Sequence, residues 1–261
     1  QTFSLFAQNR SGITGKPDTS FANYSAWLNL LKEDPSVRLA KFQSAKSKVQ
    51  SFVYQTMGTR KLVVDEYAIS ASRKLPTLVF FHGGGWRTGH RSQHVPLAKA
   101  LADRGYRVFL VEYRLSTEAL YPAAMLDAQA ALQWVSKRNN VGEIYVAGYS
   151  AGGQMAALLG SVQDENTYGK GVKLAGVIDV DGILAFIHPE SGEGDDSKRT
   201  SAATHYFGYN KVDGEAIWKE ASALSHVTAG DPPVLFLNSG VERMHAGRTD
   251  FRNKMTDLGL F

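Results

Sequence analysis

Apolar and polar positions follow two rhythms along this chain of 261 residues. From Lys61 the spacing is that of a strand, over Leu62 to Ile69. Short, mainly apolar runs follow at 77–81, 107–112, 143–147, 174–180 and 233–238, each the length of a strand. Between and after them lie stretches with helical spacing, at about 94–104, 122–138, 151–160 and Thr249 to Leu258. Gly105 stands where a left-handed residue would stop the first of these helices. Strands alternating with helices predict an α/β fold, a mostly parallel sheet with helices on both faces. Ligands of such sheets bind beyond the carboxyl ends of the strands.

The front of the chain has a different texture. Residues 1–20 are rich in Ser, Thr, Gly and Asn and read as an extended arm. Phe21 to Leu31 has helical spacing and is interrupted by Asp34-Pro35. Val37 to Met57 is amphipathic and is expected to be helical in part. The expected division is therefore an arm with packing helices over 1–60 and the α/β domain over 61–261, within one domain overall. Residues 183–232 carry little strand character. Their polar segment Glu190 to Asp196 reads as a surface insertion, with a substrate-facing loop as the alternative. Asp195 and Asp196 are adjacent acids without a third ligand, so no metal is expected, and no cofactor either.

Two glycine motifs carry the candidate chemistry. Gly148-Tyr149-Ser150-Ala151-Gly152 joins the strand ending at Ala147 to the helix beginning near Gln154. A sharp strand-to-helix turn needs small flanking residues, and it lifts a central serine hydroxyl clear of the sheet. His82-Gly83-Gly84-Gly85-Trp86 follows the strand 77–81, and its glycines leave backbone N–H groups open to a ligand. Together with the Ala151 N–H, the N–H groups of Gly84 and Gly85 could hold an oxyanion. Each motif alone also fits an ordinary turn; the two in this order, about 65 residues apart, predict a serine hydrolase of esterase type.

The chain resembles the hormone-sensitive-lipase-like and carbohydrate-esterase branch of the α/β-hydrolase superfamily. Beyond the glycine motifs, Val111-Glu112-Tyr113-Arg114-Leu115-Ser116, the segment Tyr121-Pro122-Ala123-Ala124 with Asp127-Ala128, and Ser222 to Gly240 carry the likeness, which covers about residues 76–240. It implies Ser150 as nucleophile and an acid just after the strand 233–238. The family's register falls on Arg243, so Glu242, one position earlier, is the expected acid, with Asp250 the runner-up. A base histidine should follow a further strand. The resemblance thus places the last strand, the histidine loop and the final helix beyond Phe261. Within the chain, His245 is the histidine expected to approach Ser150, because His82 belongs to the glycine loop and His226 precedes the strand. Trp86, Tyr149 and Tyr113 read as pocket walls or as core aromatics.

Composition narrows the partners. There are no cysteines, which rules out a thiol nucleophile and a disulfide within this chain. The net charge of +4 comes from scattered lysines and arginines without the aromatic interleaving of a nucleic-acid surface. No apolar run reaches the ~18 residues of a membrane helix. The expected partner is an ester of a small molecule or polysaccharide. The likeness favours acetyl or feruloyl groups on plant polysaccharide, with general carboxylesterase, formamidase or a non-catalytic binding domain as alternatives. An N-terminal Gln without Met fits a processed, secreted or periplasmic protein, with a cytoplasmic one as the alternative.

Overall fold

A computed structural model describes residues 13–38, 47–70, 72–162, 168 and 171–260. Seven strands form one sheet in the order β1-β2-β4-β3-β5-β6-β7. They are β1 (Lys48–Met57), β2 (Arg60–Ala68), β3 (Leu75–Phe81), β4 (Arg107–Val111), β5 (Val141–Tyr149), β6 (Leu174–Val180) and β7 (Val234–Leu237). The pairs β1/β2 and β2/β4 are antiparallel, and β4/β3, β3/β5, β5/β6 and β6/β7 are parallel. Five helices are placed as their spacing implies. They are α1 (Asn23–Glu33), α2 (Val95–Asp103), α3 (Ala123–Ser136), α4 (Ala151–Ser161) and α7 (Arg248–Asp257). Two short helices, α5 (Ala202–Phe207) and α6 (Glu215–Glu220), lie in the stretch that showed little strand character.

Strand alternation explains the two-sided core. On β3 and β4, Leu78, Phe80, Val108 and Leu110 turn toward Ala98 and Ala102 of α2. Their neighbours Val79, Phe81, Phe109 and Val111 turn to the other face, where α3 and α4 pack. Successive side chains of a strand point to opposite faces, so strands covered on both sides must be apolar throughout. All five residues of β4 are buried; four are apolar, and the fifth, Arg107, is paired with Glu66.

One expectation is corrected here. The end of the segment Val37 to Met57 is the ten-residue strand β1, not helix, and residues 39–46 lie outside the described part. β1 pairs with β2 around Gly58, whose φ of 57° is left-handed. The reason lies in the partner: Phe52, Tyr54 and Met57 pack on the core across a register shift between Val53 and Gln55, and this tertiary packing outweighs the Lys/Gln/Ser-rich local signal. The first twelve residues of the expected arm are outside the described part.

The segments that carry the family likeness are tied together by a buried ion pair. Arg114, just after β4, donates from Nε and Nη2 to Asp127 of α3 at 2.8 and 2.7 Å, and its backbone N–H also reaches Asp127 Oδ2. Asp127 is fully buried, so three hydrogen bonds on one carboxylate offset the cost of removing it from water. This fixes the strand end beside the glycine loop against the helix that precedes the Ser150 strand.

Candidate active site

β5 ends in Tyr149, and α4 begins at Ala151. Ser150 between them has φ 55° and ψ −116°, a conformation that a non-glycine residue adopts only under constraint. The constraint is visible. The Ser150 N–H donates to Val180 O at the end of β6, and its carbonyl accepts the Gln154 N–H of the first helical turn. The glycines are required by close approach. A Cβ on Gly148 would lie 2.0 Å from Gly152 O, and one on Gly152 would lie 2.1 Å from Phe81 O at the end of β3. Ala151 is the first helical residue, so its N–H has no acceptor within the helix and sits at the positive end of the helix dipole.

The glycine loop lies beside this turn. Gly84 and Gly85 have φ of 126° and 58°, and Trp86 continues with a left-handed φ of 55°. Gly84 O accepts the N–H groups of Arg87 and Thr88, which closes the loop into a tight turn. Under the loop, His82 Nδ1 bonds Gly83 O at 2.8 Å, and burial pushes its imidazole down to about 3, so it is neutral at every physiological pH. His82 thus supports the loop. The loop makes different demands at its two glycines. A Cβ on Gly84 would meet the backbone oxygen of Thr88 at 2.0 Å, and one on Gly85 would meet only Ala202 Cβ at 2.9 Å. Gly84→Ala is therefore expected to lower the melting temperature well below that of Gly85→Ala. Equal melting temperatures in thermal unfolding would contradict this account of the turn.

Ser150, Ala151, Gly85, Trp86 and Tyr149 line one cavity of about 840 Å³. Trp86 is held rigid. Its indole N–H donates to Gln154 Oε1 at 3.0 Å, and its ring stacks on Tyr206 of α5 with centroids 5.0 Å apart. Tyr149 is half-exposed at the mouth. Tyr113 is not a wall: it is 1% exposed, stacks on His82, and donates its hydroxyl to His82 O at 2.7 Å. It is a core aromatic behind the loop, the other reading its position allowed. Gly84 also stands behind the cavity, leaving Gly85 as the loop glycine on its surface.

The expected acid and base are placed elsewhere. Glu242 opens the 3₁₀ turn Glu242–His245, is exposed, and does not line the cavity. His245 closes that turn with its Nε2 2.8 Å from Ser239 O, also outside the cavity wall. Asp250, the runner-up, lies on exposed α7, 3.2 Å from His188 Nε2. The cavity wall holds other groups that the sequence reading passed over. Asp181 follows β6 with a left-handed φ of 54°, and its Oδ1 accepts the Ser239 N–H at 2.7 Å. His205 of α5 also lines the cavity. So does the segment 192–195, through Gly192, Glu193 and Asp195, as the substrate-facing alternative requires. Among the described residues, no group of three or more carboxylates and imidazoles could hold a metal.

A family model described as BD-FAE matches residues 64–243. The chain belongs to the BD-FAE family of α/β-hydrolase esterases. Solved structures confirm the α/β-hydrolase fold. An esterase from Pseudomonas putida ECU1011 superposes with a TM-score of 0.67 over 98% of this chain and 83% of its own, at 23% identity. A truncated carbohydrate esterase from gut microbiota gives 0.65 over 84% and 86%, at 18% identity. In sequence, the chain is 41% identical over 91 residues to the carboxylesterase NlhH of Mycobacterium tuberculosis. It is 36% identical over 100 residues to the carboxylic ester hydrolase LipN of the same species. These matches cover 33% and 36% of this chain, and only 28% and 27% of the two relatives' lengths.

Proposed function

We propose that this BD-FAE family member is a serine esterase that cleaves short acyl groups, acetyl or feruloyl, from plant cell-wall polysaccharide. The observation that carries the reading is Ser150, held at φ 55° on a strand-to-helix turn that opens into the cavity beside the glycine loop. Strain of this kind persists only where the surroundings impose it, and it projects the hydroxyl away from the sheet. Ser150 Oγ attacks the ester carbonyl carbon, and its proton passes to an imidazole base. The N–H groups of Ala151 and of Gly85, the loop glycine on the cavity wall, hold the oxygen as it becomes negative. Collapse of the tetrahedral intermediate expels the alcohol, and water then releases the acid from Ser150. The named carboxylesterase relatives support ester cleavage.

The wall chemistry favours a small acyl group on a hydroxyl-rich alcohol. With Trp86, the wall carries Glu193, Asp195, Arg199, Thr200 and Ser239, which can exchange hydrogen bonds with sugar hydroxyls and offer little to a long alkyl chain. The test is release of acetate and ferulate from acetylated xylan, pectin and feruloylated arabinoxylan against hydrolysis of p-nitrophenyl laurate. Polysaccharide deacylation and short p-nitrophenyl esters should exceed laurate by at least ~10-fold, since each misplaced apolar group is worth 1–3 kcal/mol. A preference for acyl chains of C12 or longer would overturn the substrate class.

A further inference from the structure

We infer that Asp181, at the end of β6, is the carboxylate that positions the imidazole serving Ser150, in place of an acid on the loop after β7. The inference rests on the esterase reading and deepens it. Three observations carry it. Asp181 lines the cavity that Ser150 lines, whereas Glu242 does not. It is also adjacent through the backbone, because the Ser150 N–H donates to Val180 O, the carbonyl immediately before Asp181. Finally, its backbone is held in a left-handed conformation, φ 54°, which a non-glycine residue keeps only where the surroundings over-determine it.

Those surroundings aim the side chain. The Asp181 N–H donates to Leu237 O of β7, and Oδ1 accepts the Ser239 N–H at 2.7 Å. The carboxylate is thus pinned to the strand end from which a β7-loop acid would come. Oδ2 has no hydrogen bond from a described residue. Asp181 lines the cavity, so Oδ2 can accept from a donor placed there. An imidazole N–H is such a donor. Bonded to Oδ2 through Nδ1, the ring would present an unprotonated Nε2 to Ser150 Oγ, and the carboxylate would stabilise the imidazolium formed when that nitrogen takes the proton. The other titratable groups facing this site are the buried Asp179 two residues earlier, His205, Glu193, Asp195, Arg87, Arg199 and Arg243. Burial pushes Asp179 up to about 8, and the neighbouring Asp181 adds to the rise.

The experiment measures the rate of labelling of Ser150 by a fluorophosphonate, across pH, in the full-length protein and in Asp181→Asn, Asp181→Glu and Glu242→Gln. Asp181→Asn keeps an oxygen for the Ser239 N–H, so its fold should survive; thermal unfolding checks this. Its labelling rate should fall ~10²–10⁴-fold, the effect of leaving the base in the wrong tautomer. The inflection of the pH profile should also move to lower pH, because an imidazole that loses a carboxylate neighbour is harder to protonate. Asp181→Glu should restore part of the rate. A large loss in Glu242→Gln with Asp181→Asn unaffected, or an Asp181→Asn profile that is merely scaled with its inflection unmoved, overturns the inference alone. Failure of the wild-type protein to label at any pH overturns the esterase reading, and this inference with it.

Discussion

Ser150→Ala is expected to lower kcat on p-nitrophenyl acetate by roughly 10⁴–10⁶ while leaving the fold intact. The two effects separate because the serine contributes different atoms to each. What holds the turn is backbone: the Ser150 N–H to Val180 O, the Gln154 N–H to Ser150 O, and the glycines that let Gly148 and Gly152 pass each other. Alanine keeps all of these and the same left-handed φ, so stability should stay within ~1 kcal/mol, as for a small change away from a packing or hydrogen-bonding role. What alanine removes is Oγ, the atom that would bond to the acyl carbon. The residual rate would come from the oxyanion N–H groups and from binding alone. Ser150→Gly sharpens the test, since glycine tolerates φ 55° without strain and should be both inactive and slightly more stable. Turnover persisting in Ser150→Ala within tenfold of wild type would remove Ser150 from the chemistry.

How much of this was legible in the sequence depends on the range of the interaction that fixes each feature. The strands β3 to β7 and the helices α2, α3, α4 and α7 could be read because each is written into its own hydrophobic period. β6, expected over 174–180, occupies Leu174–Val180. β1 could not be read, because what makes Lys48–Met57 a strand is its pairing with β2 and its packing under α3, not its own composition. The two glycine motifs announced the Ser150 turn and the loop beside it, since close backbone approach leaves no other residue type possible there. The acid was harder. Glu242 was chosen by chain position after β7, yet the loop turns its side chain to solvent. The carboxylate proposed in its place, Asp181, stands at the strand end Val-Ile-Asp-Val-Asp-Gly, where two carboxylates among buried residues were the overlooked signal. The irregular stretch after β6 gave no period either. What anchors it is a cluster of rings, Trp86, Phe186, Tyr206, Phe207 and Trp218, whose contacts join residues far apart in the chain.

The second carboxylate of that strand end, Asp179, sets the other large expected effect. Its side chain is fully buried beneath the Ser150 turn. Oδ1 accepts the Gly182 N–H at 2.7 Å, and Oδ2 has no partner among the described residues. A Cβ on Gly153 would lie 2.4 Å from Oδ1, so the packing around the carboxyl leaves no room to relax. Burial is the main cause that pushes Asp179 up to about 8; the Asp181 charge adds to it, and the Gly182 hydrogen bond opposes it. In the unfolded chain the same group titrates near its ordinary value of about 3.9. Between these two values the folded protein holds a proton that the unfolded chain has lost, so stability falls as pH rises from about 4 to about 8, by up to ~1.4 kcal/mol per unit from this group. Above about 8 both states are ionised, and the loss is complete. Asp179→Asn keeps an oxygen for the Gly182 N–H and carries no charge at any pH. It should match wild type near pH 4–5 and exceed it by a few kcal/mol at pH 8–9, with a flatter stability profile between. Urea unfolding across that range measures the difference. Parallel profiles for the two proteins would mean that Asp179 is ionised in the fold and that its charge is met by a partner.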